Sequence, residues 1–181
     1  LGTAGKISEN DISSNIVKSS EITFLEGYLW DEGDPKKAFD KAILNSNKIA
    51  MSLSDLFCVE RHKKYFLELV RNKLDITFAN EQEILSLIDS NSFNDVVSFS
   101  KKLKKNIVIT RGEKGSVAIK DDEIIEYPAK QNLTITDLTG AGDLFAAGYL
   151  NGYLNKMPIN DCLKQGTELS SEVIQKIGAR I

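Results

Sequence analysis

Apolar positions along this chain follow two spacings that take turns. Short, continuous runs rich in β-branched and aromatic residues predict buried strands: Ile22 to Leu25 within "EITFLEGYLW", "KIAMSLS" (48–54), "DITFAN" (75–80), "NIVITR" (106–111) and "LTIT" (133–136). "GSVAIK" and "EIIEYPA" predict a β-hairpin turning at Asp121-Asp122. Between these lie segments of helical period. "PKKAFDKAILNSN" (35–47) opens on Pro35, a favourable first helical residue, and repeats Ala38, Phe39, Ala42 and Ile43 on one face. "CVERHKKYFLELVRNK" (58–73) does the same with Val59, Tyr65, Phe66, Leu69 and Val70. Helices are also predicted over 80–89 and 92–105, from about Gly140 onward, and from Pro158 to about Ile177.

Alternating strands and helices, with strands that are Val/Ile-rich rather than half-polar, predict a mostly parallel sheet covered by helices, an α/β fold. The 181 residues suffice for one ordinary core, and no repeat, low-complexity run or Pro/Gly-rich linker divides them. The expectation is a single domain over 1–181. In open sheets of this kind ligands sit at the carboxyl ends of strands, which directs attention to Asn80, Thr110 and Thr136 onward. "LGTAGKIS" reads like the middle of a domain, so a fragment of a longer protein is expected.

Composition narrows the field. Hydrophobic residues are 41% and charged residues 27%, with a net charge of −3. That balance offers no electrostatic grip on nucleic acid or an anionic membrane, and the apolar runs are too short to span a bilayer. No signal-peptide pattern is present, and Cys58 and Cys162 lack CxxC spacing, so two buried thiols in a reducing, cytoplasmic compartment are expected.

The informative stretch is "TITDLTGAGDLFAAGYL". A strand is expected to end at Thr136 and a helix to begin at Gly140, with Thr139 as N-cap. First-turn amides have no partner inside a helix, and Gly140, Ala141 and Gly142 carry almost no side chain to shield them. With the helix dipole, they form an anion hole. Asp143 has two readings: a carboxylate complementing the dipole, or a base for a hydroxyl held beside the anion. Phosphoryl transfer needs charge stabilisation, positioning and such a base. Two rival phosphate motifs fail on residues. Phe145 stands where G-x-G-x-x-G needs its last glycine, and Gly5-Lys6, followed by Ile7, does not satisfy a Walker A.

Two further stretches fit the same chemistry without demanding it. "ITRGEKGS" places Gly112 and Gly115 in a turn after a strand, either a plain hairpin turn or a loop whose amides face a phosphate or purine. Asn80 after a strand, with Glu83 three residues on, reads as a variant capping box. His62, among Arg61, Lys63 and Lys64, is expected in solvent, Trp30 in packing, and the lysines from 101 to 105 on a solvated helix end.

"DLTGAGDLFAAGYL" resembles the C-terminal signature D-T-x-G-A-G-D of the ribokinase-like (PfkB) carbohydrate kinases. The resemblance covers nearly the whole chain in the family's order, and "FLEGYLWD" and "EVIQKIGAR" resemble its bacterial adenosine-kinase-like branch. It implies a three-layer α/β/α fold without the family's N-terminal part and β-lid, with exposed apolar surface where those would pack. It implies Asp143 as catalytic base and Gly140, Ala141 and Gly142 as the anion hole. Thr110, Arg111, Gly112 and Gly115 would hold ATP, and Asn80 and Glu83 would order Mg2+ through water. The implied substrate is a small sugar or nucleoside, adenosine-like by preference, and homodimers occur in the family through the absent lid. The alternative is a non-catalytic nucleotide-binding module that needs a partner or a missing half. Leu138 departs from the pattern, which predicts a packing effect without loss of chemistry.

Overall fold

The computed structural model describes residues 2–30 and 33–181; Asp31, the last residue of "FLEGYLWD", lies outside them. In chain order the elements are α1 (Ser14–Ser19), β1 (Thr23–Glu26), α2 (Asp34–Asn45), β2 (Ile49–Ser52), α3 (Leu56–Asn72) and β3 (Ile76–Asn80). There follow α4 (Glu81–Leu87), α5 (Phe93–Leu103), β4 (Asn106–Thr110), β5 (Ser116–Lys120), β6 (Glu123–Tyr127), α6 (Ala141–Leu154) and α7 (Ile159–Val173).

The strands form one mixed sheet in the order β1-β2-β3-β4-β5-β6. The first three pairings are parallel, as the helical crossovers require, and the last two are antiparallel. The hairpin joining β5 to β6 turns at Asp121-Asp122, with Asp121 left-handed at φ 54°.

Alternation along each strand sorts side chains onto two faces. Ile49, Met51, Ile107, Ile109, Val117 and Ile119 share one core with Phe66 and Leu69 of α3, Ile84 of α4 and Val96 of α5. Ala50, Ile76, Phe78, Val108 and Ala118 share the other with Phe145 and Tyr149 of α6 and Cys162 and Leu163 of α7. The result is the three-layer α/β/α arrangement. Cys162 is buried as expected, while Cys58 is only half-buried. Among the described residues no helix is long and apolar enough to cross a membrane.

Three expectations need correction. Leu133 to Thr136 forms no strand, because the amides of Thr136 and Asp137 both donate to the carbonyl of Ile174, at 2.8 and 3.2 Å, instead of entering a ladder. That carbonyl lies just past α7, which ends at Val173 and not near Ile177. His62 is only partly exposed to solvent. Backbone at His62 leaves helical geometry (φ −116°), and its ring packs edge-on against Trp30 at 4.4 Å between centroids.

Helix α6, which carries the glycine signature, lies hard against α7. A Cβ on Gly148 would come within 2.6 Å of the Gln165 carbonyl oxygen, and one on Gly166 within 2.7 Å of the Phe145 carbonyl oxygen. Both neighbours are backbone, so they cannot swing aside. Replacing Gly166 with Val is therefore expected to destabilise the fold by about 1–3 kcal/mol in urea denaturation, the ordinary range for overpacking. Unchanged stability would mean that the two helices are free to separate.

Candidate active site

Polar groups collect at the carboxyl ends of the strands. Asn80 closes β3 and caps α4: its side chain accepts from the Glu83 amide at 2.8 Å. Glu83 answers, one oxygen accepting from the Asn80 amide at 2.9 Å and the other from the Asn80 side-chain amide at 2.6 Å. The capping box is thus real. It also leaves Glu83 only 4% exposed. Burial pushes its carboxyl up from the ordinary value, against the Asn80 amide bond, and the Asp55 carboxylate adds to the rise. Burial thus disfavours its charged form, which a nearby cation would favour. Among the described residues no group of three or more His, Cys, Asp or Glu could cage a metal.

On the neighbouring strand, in register with Asn80, Thr110 ends β4 and leads into the turn 111–115. The Arg111 amide donates to the Gly115 carbonyl at 2.8 Å, and the Gly115 amide to the Gly112 carbonyl at 3.0 Å. Gly115 is required on two counts: φ is +89°, and a Cβ there would collide with the Tyr127 carbonyl oxygen. The Arg111 side chain is committed elsewhere. Its Nε donates to Glu81 Oε2 at 2.8 Å, and its guanidinium lies 3.7 Å from the centre of the Phe93 ring.

The signature stretch is built differently from expectation. Thr139 does not cap α6. Its amide and hydroxyl both donate to Asp137 Oδ1, at 2.9 and 2.7 Å, and Gly140 is the N-cap in left-handed conformation, φ 80°. Asp137 Oδ2 accepts from the Gly178 amide at 2.9 Å. These bonds, those from Thr139 first, hold the Asp137 carboxyl below the usual range. Ala179 closes over Gly140 so tightly that a Cβ there would come within 2.7 Å of it. Of the expected anion-hole donors, Ala141 gives its amide to the Leu138 carbonyl at 3.2 Å. Among the described residues the amides of Gly140, Gly142 and Asp143 have no protein partner. A Cβ on Gly142 would meet nothing within 4 Å, so that backbone faces open space. Asp143 is exposed in the same turn. Leu138 does not pack within this chain; it is 65% exposed, as are Ile135 and Ile177 to similar or greater degrees.

Sequence reasoning passed over Glu26. It is the last residue of β1, and its carboxyl is pushed up by burial and by the charge of Asp143. The strand-end rule that selected Asn80 and Thr110 would have found it. Beside it, Tyr28 is pushed up to about 12 by burial and by Asp55. A cavity of about 210 Å³ runs past Gly27, Tyr28, Asp55 and Phe57. A larger one, about 670 Å³, is lined by Trp30, Arg61, His62 and Tyr65 among others and shares no residue with the signature or the turn.

A family model described as pfkB family carbohydrate kinase matches residues 4–181. The chain belongs to that family. The crystal structure of adenosine kinase from Sinorhizobium meliloti superposes with a TM-score of 0.93 at 36% identity, over 98% of this chain and 56% of that one. The cytidine kinase of Thermococcus kodakarensis is 35% identical over 119 residues, 64% of this chain and 42% of the relative. The adenosine kinase of Dictyostelium discoideum is 28% identical over 92% of this chain and 53% of its own length. The chain thus spans about half the length of the curated relatives it matches.

In this pfkB-family chain Asp137 fastens the loop that leads to the bare amides. Replacing Asp137 with Ala is expected to speed hydrogen exchange at the Thr139 and Gly178 amides by about tenfold or more, each having lost a charged acceptor. Unaltered protection would show that the loop is held by something else.

Proposed function

We propose that the chain is the nucleotide-binding, phosphate-transferring portion of a kinase that moves the γ-phosphate of ATP to a hydroxyl of a sugar or nucleoside, with a nucleoside preferred. One observation carries the reading. Unpartnered amides at Gly140 and Gly142 and the exposed carboxylate of Asp143 occupy the same first turn of α6. The printed activities of the similar proteins, which include adenosine and cytidine kinases, support the acceptor class.

In this reading Asp143 accepts the proton of the acceptor hydroxyl, and the freed oxygen attacks the γ-phosphorus. The bond to the bridging β,γ-oxygen breaks and ADP leaves. The amides of Gly140 and Gly142 donate to the phosphate oxygens as charge redistributes, aided by the dipole of α6. Thr110, Gly112 and Gly115 shape the loop that holds the nucleotide, and Asn80 and Glu83 order magnesium through its water shell. That ion, when bound, supplies neutralising charge on the phosphates. Because the chain spans about half of its relatives, a second reading is that it binds nucleotide and turns over only together with a further segment.

Replacing Asp143 with Asn in the intact protein is expected to lower kcat by at least about 10², the lower end for a positioned base, with little change in ATP affinity. Steady-state kinetics beside calorimetric ATP titration separate the two quantities. Near-normal turnover of the Asn variant would remove the base assignment.

A further inference from the structure

The site just described is assembled from separate pieces. The magnesium-ordering pair sits at the start of α4, after β3, and the nucleotide turn follows β4. Those strands are parallel neighbours, with Asn80 opposite Thr110. One residue further along each, Glu81 and Arg111 reach across and meet at 2.8 Å. The Lys114 ammonium, from the far side of the same turn, approaches the other Glu81 oxygen at 3.4 Å. One carboxylate therefore contacts two residues of the nucleotide turn, Arg111 closely and Lys114 at longer range. Glu81 is available for this because Asn80 and Glu83 satisfy one another in the capping box.

The bond is built to be stiff. Side chains of Arg111 and Glu81 are 16% and 22% exposed, so water and salt screen it far less than an open surface pair. The guanidinium is pinned from a third side by the Phe93 ring at the start of α5. Arg111 also spends its amide on the Gly115 carbonyl, so shifting its side chain shifts the turn. Its partner's carboxyl is held below the ordinary range, the bond to Arg111 being the main cause.

We propose that Arg111 and Glu81 are positioning residues that couple the magnesium-ordering helix start to the nucleotide turn, so that Mg2+ and ATP bind interdependently. The proposal rests on the site reading above and goes beyond it. Arg111 becomes the link between two binding elements and not itself a nucleotide contact. The physical basis is linkage. If Mg2+ fixes the start of α4, a rigid tie passes that order to the turn, and ATP then meets a turn already held in place. Without the tie, each element must be ordered separately.

The test is calorimetric titration of ATP into the intact protein with and without Mg2+, giving the ratio of the two affinities. Arg111→Met keeps an aliphatic stem on Phe93 and removes the charge; Glu81→Gln keeps shape and removes the opposite charge. Each is expected to cut the Mg2+-induced tightening by about tenfold, within the usual span of coupling between sites. The double variant is expected to lose no more than either single one, since both break the same tie. A pair that only fastens the fold would lower the melting temperature and leave the ratio intact, and that result overturns the proposal. Should Arg111→Met fail to fold, Glu81→Gln carries the same readout. Wild-type protein that binds no ATP would sink the site reading and the coupling together. If the wild type binds ATP more tightly with Mg2+, turnover falls in the Asp143→Asn variant, and both tie variants keep the full ratio, only the coupling fails.

Discussion

Backbone amides in the first turn of a helix have no partner within that helix, and a fold caps them or leaves them to water or a ligand. At the start of α6 this chain leaves them. A side-chain cap was within reach at Thr139, yet its hydroxyl is drawn back to Asp137. Gly140 takes the capping position with no side chain to offer, and Gly142 turns its backbone to open space. Two helices that follow strands are capped by side chains instead. Asp55 caps α3 by accepting from the Cys58 amide at 2.6 Å, and Asn80 caps α4. What sets α6 apart is that its uncapped amides sit beside glycine backbone open to solvent and the exposed Asp143.

Keeping a donor-rich turn open requires support from behind it. Asp137 supplies it by joining the loop before α6 to the backbone after α7 through Gly178, while Ile174 receives the amides of Thr136 and Asp137. Close backbone packing of α6 on α7 extends the same support along the helices. The C-terminal residues therefore belong to the site's scaffold. Burial pushes up the carboxyls of Glu26 and Glu83, with the charge of Asp143 adding at the first and that of Asp55 at the second.

Much of this was legible in the residues. Strands β2, β3 and β4 are continuous buried runs with no competing pattern, and the capping box at Asn80 and Glu83 formed as its spacing predicts. The run 133–136 has strand-like residues too, but propensity cannot reveal that Ile174 takes the amides a ladder would need. The cap at Thr139 failed for a similar reason: with Asp137 only two residues away, the hydroxyl donates to that carboxylate instead of accepting from a helix amide. His62 looked solvated because its neighbours along the chain are cationic, while the residue that decides its packing, Trp30, is far away in sequence. The family motifs located Asp143 and the glycine turn, and only the fold placed Glu26 beside them.

The central claim is that phosphate is held by the bare amides opening α6. Amide chemical shifts of the intact, 15N-labelled protein, recorded while a non-hydrolysable ATP analogue is added with Mg2+, test it most directly. The account expects the largest changes at Gly140, Gly142 and Asp143, together with the turn 112–115. Changes confined to the cavity beside Trp30, His62 and Tyr65, with the first turn of α6 unmoved, would contradict it.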